Sequence, residues 1–314
     1  MHDSVRRVAR VSCLLVAAIA TTMLSGCSLQ RLTVNQTADV LYAGQPALER
    51  EGDPQFAREA FPASLKTIET FLLSSPDNEK MLEMLAKGYF SYAFGFLEWD
   101  LERGRFELAE EEDLREMNRR AVLHYLRSRD YGFMLLDMPQ LEAAARANDI
   151  EVLEAELAKV SAEDVAGLFW AGYGWGSAIN LSQSDTSMVA SIATVEAIMK
   201  RVEQLDDDYF YAGVHLFFGI FYASRPAMFG GDPAKAKHHF DIAIERHGEY
   251  NMMIHYLMAR YYAPTQQDRA LFVSTMERVA NHQDTDHPNV RLNNEIARER
   301  ARFWLRRVDE LIYE

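Results

Sequence analysis

Cysteine is almost missing from this chain: the 314 residues contain two, Cys13 and Cys27. Once those two are accounted for, no disulfide framework, thiolate zinc centre or cysteine nucleophile is open to the remainder, so its stability must rest on an ordinary hydrophobic core. No apolar run reaches the roughly 20 residues that a bilayer-spanning helix requires. Alternating strand patterns are absent, as is any Gly/Ser or Pro-rich linker. Positive charge is in short supply, with 33 Lys and Arg against 47 Asp and Glu and a net charge of −14. Such a chain repels phosphate backbones, which argues against nucleic acid as a partner.

The patterns of catalysis are missing too. There is no Gly-x-Ser-x-Gly elbow. No histidine pairs with a glutamate at the helical spacing of a zincin, and adjacent His238 and His239 point to different helix faces. Asp206-Asp207-Asp208 lacks the glycine and terminal glutamate of a calcium loop. Gly172-Tyr173-Gly174-Trp175-Gly176 follows no strand, so it reads as close helix packing and not as a dinucleotide loop. Spacing along the chain therefore predicts no metal site, no cofactor and no enzymatic activity.

What is present begins with a leader. Arg6, Arg7 and Arg10 precede an apolar run over 11–24 that is long enough for an export signal and too short for a permanent span. Leu24-Ser25-Gly26-Cys27 then resembles a bacterial lipobox. It predicts removal of 1–26 and attachment of acyl chains such as palmitate to Cys27, each buried CH₂ contributing ~0.8 kcal/mol of anchoring. Losing three Arg and one Asp takes the mature charge to −16. Ser28 stands where an aspartate would signal inner-membrane retention, which favours the periplasmic face of the outer membrane. The reading continues with a short tether over 27–36 and a single helical domain over 37–314, with Thr33 and Asn35 as early caps.

Apolar residues recur at three- and four-residue spacing throughout, which predicts an all-α fold. Leu82, Leu85, Ala86 and Tyr89 follow the spacing of the first helix of a tetratricopeptide (TPR) repeat. So do Leu168, Ala171, Gly172 and Trp175; His215, Phe218, Gly219 and Tyr222; and Ile254, Leu257, Met258 and Tyr261. Ala236, Phe240 and Ala243 supply the small-large-small pattern of a second helix. Pro54 and Pro233 each follow an aspartate, the order of an N-cap and first turn. Pro139 to Val160 reads as an inserted helix pair. The predicted architecture is a TPR-like solenoid of antiparallel helix pairs.

Aromatic and polar groups crowd the candidate inner helices. Trp170, Tyr173, Trp175 and Asn180 share one helix, His215, Phe218, Tyr222 and Arg225 the next, and His255, Tyr256 and Arg260 a third. An arginine on a mostly apolar inner surface needs an anion or solvent. Arg225 is thus the candidate anchor for a carboxylate, with Trp170, Trp175 and Tyr222 as the apolar wall. Against this, Arg225 stands at a helix end before Pro226, where it could simply satisfy carbonyls. Gly230, Gly231 and Asp232 form a candidate structural turn.

The segments Tyr222-Ala223-Ser224-Arg225-Pro226, Phe229-Gly230-Gly231-Asp232-Pro233 and Asn294-Glu295-Ile296-Ala297, with the aromatic-glycine run ending at Trp175, resemble the TatT component of TRAP transporters. That resemblance implies a TPR-like periplasmic lipoprotein that partners the substrate-binding P component, forms trimers, and accommodates a small organic or hydrophobic acid in a channel. Its role in solute uptake would be accessory and non-enzymatic. The alternative is a TPR scaffold for envelope assembly with no small-molecule ligand.

Overall fold

The computed structural model describes residues 29–107, 109–283 and 286–313, and within them every regular element is helical. Cys27 and the leader lie outside the described residues. The chain runs α1 (29–43), α2 (Pro46–Glu49), α3 (Pro54–Leu72), α4 (Glu79–Tyr92), α5 (Glu98–Phe106), α6 (Glu111–Leu136), α7 (Pro139–Ala147) and α8 (Ile150–Leu157). It continues with α9 (Val165–Leu181), α10 (Thr186–Val189), α11 (Ile192–Leu205), α12 (Tyr209–Ala223), α13 (Pro233–His247), α14 (Met252–Leu257), α15 (Arg269–Asn281) and α16 (Arg291–Leu305). No helix among the described residues is long and apolar enough to cross a membrane.

The repeat motifs map onto real helix pairs. The four first-helix patterns fall on α4, α9, α12 and α14 with the turn that follows it, and Ala236, Phe240 and Ala243 are all buried on α13 against α12. Asp53 and Asp232 cap α3 and α13 through their carboxylates, and Pro139 to Val160 holds the short pair α7 and α8. Thr33 and Asn35 are not caps. Both lie within α1, where the Thr33 hydroxyl donates back to the Leu29 carbonyl at 2.9 Å and the Asn35 side chain accepts from Asn78. Residues 29–36, read as tether, are already helical, and Val34 is buried. Thr and Asn were ambiguous because the same side chains that cap a helix also bond within its turns.

Three backbone departures shape the interior. Five-residue π turns, Ala93–Leu97 and Met258–Tyr262, follow α4 and α14. A π turn widens the helix and frees carbonyls; the buried Arg300 of α16 donates to those of Phe94 and Gly95 at 2.6 and 3.0 Å. Its guanidinium also lies over the Phe94, Trp99 and Tyr256 rings. With α16 additionally packed on α2 and α3, the end of the array returns to its beginning and the solenoid closes on itself. The third departure opens α12, where Phe210, Tyr211 and Ala212 have φ of 53°, 60° and 57° before the right-handed helix proceeds from Gly213.

Candidate functional site

Helix α9 carries the aromatic-glycine run, and its glycines decide where that run can sit. A Cβ on Gly174 would come within 2.7 Å of the Tyr125 carbonyl oxygen, one on Gly167 within 2.9 Å of the Leu136 nitrogen, and one on Gly132 of α6 within 2.5 Å of the Ala171 nitrogen. Backbones that approach this closely bring α6 and α9 into direct contact. The pair thereby turns Tyr173 and Asn180 inward.

They face a cavity with about 40 Å³ of free interior, walled by the rings of Phe90, Phe94, Tyr173, Phe217 and Tyr261. The π turns contribute directly to this wall, since Phe94 belongs to the first and Tyr261 to the second. The polar groups at its surface are few: Arg225, Asn180, Ser177 and Glu98. Glu98 follows the first π turn and accepts hydrogen bonds from the hydroxyls of Tyr125 and Tyr261. Burial pushes its carboxyl above the usual range, although the Tyr125 bond and the nearby Arg300 pull the other way. Burial, with Glu98 close by, also raises the Tyr173 hydroxyl.

Arg225 follows α12. One of its nitrogens donates to the Phe221 carbonyl at 3.0 Å and its guanidinium carbon stands 3.6 Å from the centre of the Phe221 ring. Burial lowers its pKa, with Glu196 the one opposing charge. No carboxylate among the described residues forms an ion pair with it, whereas Arg260, the other candidate cation, is held by Glu102 at 2.6 Å.

The remaining candidates are distributed elsewhere. Trp170 is wholly buried among Phe90, Phe169 and Phe210, and Trp175 faces α6 through Phe133 and Arg129, so neither lines this cavity. Tyr256 is core beneath Arg300. Tyr222 packs in a three-ring cluster with Phe218 and His239 outside the cavity wall. His215 is buried with its Nδ1 2.9 Å from Nδ1 of His239. His255 bonds the Gly248 carbonyl at 2.8 Å. Three of the residues singled out in the sequence, Arg225, Tyr173 and Asn180, thus meet at one cavity. Glu98 was missed because no neighbouring residue in the sequence marks it as buried.

Just beyond Arg225 the turn is fixed by two glycines. Gly230 has φ +86°, and a Cβ on Gly231 would fall 1.7 Å from the Arg225 carbonyl oxygen. The Asp232 amide then donates to the Tyr222 carbonyl at 3.0 Å before its carboxylate caps α13.

Phe90, Phe94 and Tyr173 also wall a second cavity of about 70 Å³, deeper between α4, α12 and α14. That cavity shares Phe61, Ser91, Phe210, Tyr211, Leu292 and Asn293 with a third, of about 320 Å³, which extends to Leu41, Leu48 and Leu65. Through these shared walls the three adjoin in succession, from the polar groups around Arg225 to an apolar chamber beside α1.

The sequence pattern of the TRAP transporter T-component family (TAtT) matches residues 50–312. The chain is also similar to an uncharacterized protein of Treponema pallidum (strain Nichols), with 25% identity over 327 aligned residues covering 97% of each chain.

Proposed function

Because this chain belongs to the TRAP transporter T-component family, an accessory family of that transport system, we propose that its adjoining cavities hold a small organic or hydrophobic acid on its way to or from the P component. The observation that carries this reading is Arg225, a half-buried cation with no carboxylate partner among the described residues, set in a wall of aromatic rings. A guanidinium offers two parallel N–H donors to a carboxylate, and the rings and the apolar chamber beyond suit an uncharged tail. The 40 Å³ around Arg225 admits only the head of such a molecule, and the 320 Å³ chamber offers room for the rest. Asn180 and Ser177 are placed to complete the hydrogen bonds of the head group.

In the same reading the protein is periplasmic, tethered through acylated Cys27, associates with the P component and forms trimers. Native mass spectrometry of material purified without added ligand should find an acid bound, and a medium-chain carboxylic acid should bind on titration. Arg225→Ala should weaken that binding by about 2 kcal/mol, roughly thirtyfold, with little change in Tm. A large fall in Tm with unchanged affinity would assign Arg225 to holding the end of α12. Failure of any acid to bind, with P-component association retained, would leave the scaffold reading.

A further inference from the structure

Away from the acid cavity, three helices direct one ligand-type atom each to a common point. Glu203 comes from α11, His215 from α12 and His239 from α13. The two imidazole Nδ1 atoms are 2.9 Å apart, and each is 3.7 Å from Glu203 Oε1. Bonds of about 2.0–2.1 Å to a tetrahedral ion place neighbouring ligand atoms about 3.3 Å apart, a spacing that these three edges bracket.

The protons point the same way. Nε2 of His215 lies 3.5 Å from Asp207 Oδ2, and Asp207 is itself held by Arg246 at 2.8 Å. Nε2 is buried without a formed hydrogen bond, and the Asp207 charge beside it favours the proton on that side and the Nδ1 lone pair toward the cluster, close to the outer-sphere arrangement common behind metal-bound histidines. Neutral His239 has a single N–H, so at most one proton serves three converging acceptors. The surrounding cations are already engaged: Lys200 with Glu196, Lys235 with Asp232, and Arg246 with Asp207. His215 is buried and His239 nearly so, while Glu203 is one-third exposed, which leaves the fourth direction open to solvent.

We propose that Glu203, His215 and His239 bind one divalent transition-metal ion of the zinc class, with two imidazole nitrogens and one carboxylate oxygen as its protein ligands and water in the fourth position. Imidazole with carboxylate at tetrahedral spacing suits Zn²⁺ and disfavours the oxygen-seeking Ca²⁺ and Mg²⁺. The site departs from the expectation of no metal. Spacing along one helix could not show it, because the ligands come from three helices that meet only in the fold. Occupied, it would join α11 to the α12–α13 pair.

The full chain, purified through a chelator and without a polyhistidine tag, should take up one equivalent of Zn²⁺ by calorimetry and elemental analysis, and Mg²⁺ should not compete. Zn²⁺ at a hundred times Kd should raise Tm by about 5 °C. Co²⁺ should give the intense visible absorption of a tetrahedral site. His215 is buried and its replacement could unfold the chain, so the informative variants are Glu203→Gln and His239→Gln, with circular dichroism to verify folding. Each should weaken Zn²⁺ binding at least tenfold and abolish the Tm shift, while His238→Gln, on the exposed neighbour, should not. Absence of stoichiometric uptake, or uptake that survives both substitutions, would overturn the proposal and leave the histidines as a simple N–H···N pair. Neither result depends on whether an acid binds near Arg225.

Discussion

At the scale of single residues, the turn after α12 illustrates what local sequence can disclose. Asp232 Oδ1 accepts from the amides of Ala234 and Lys235 at 3.0 and 3.1 Å, so Asp232→Ala should lower stability by about 1 kcal/mol in denaturant unfolding. Gly231→Ala should be worse than that, since its new carbon would land 1.7 Å from a backbone oxygen that cannot rotate away. Equal effects would mean that the turn adjusts freely. The Asp-Pro order was legible because capping involves only neighbours in sequence. Glu98 was not legible, because nothing local distinguishes a buried glutamate from a solvated one. Its raised pKa means that the folded state holds the proton more tightly than the unfolded state does. The stability from that proton is present below the ordinary value of 4.5 and is lost as pH rises through the elevated folded value. Glu98→Gln should therefore resemble the parent near pH 4 and be the more stable protein at pH 8. Paired unfolding curves at the two pH values test this, and a variant weaker at pH 8 would show that the Tyr125 and Arg300 interactions with the carboxylate outweigh its desolvation.

At the scale of elements, the helix pairs were legible because 3.6-residue periodicity and small-residue spacing are written along each helix. The α6–α9 contact follows from the same residues. Gly132→Ala would place a methyl 2.5 Å from the Ala171 nitrogen and 2.9 Å from its Cα, so the two backbones must part. The expected loss is about 1–3 kcal/mol, read by denaturant titration. A neutral result would show that the two helices are not held by this crossing. The π turns were hidden, since one extra residue in a turn disturbs the periodicity no more than a loop does. They matter to the site, because Phe94 and Tyr261 reach the cavity from them. Thr33 and Asn35 mark the opposite failure, in which residues with two local roles were assigned the wrong one.

At the scale of the whole molecule, repeats implied a stack, and the stack was found, but its closure depends on contacts that span the chain. Arg300 reaches carbonyls more than 200 positions away, and no periodicity encodes such a partner. Two of the adjoining cavities take wall residues such as Leu292 from α16 and were equally invisible. The acylation proposed for Cys27 belongs to this scale as well: Cys27→Ser should move the protein from the detergent phase to the aqueous phase, and unchanged partitioning would refute acylation. The left-handed stretch at Phe210, Tyr211 and Ala212 ties local strain to the shape of the interior. Three L-residues in left-handed backbone conformation disfavour the folded chain by about 1–2 kcal/mol each, and the right-handed course of α12 begins only at Gly213. The corner between α11 and α12 is held against that cost by tertiary packing, with Phe210 seated on the Phe169 and Trp170 rings. Since Phe210 and Tyr211 wall two of the cavities, relaxing this corner to right-handed backbone would reshape both chambers at once.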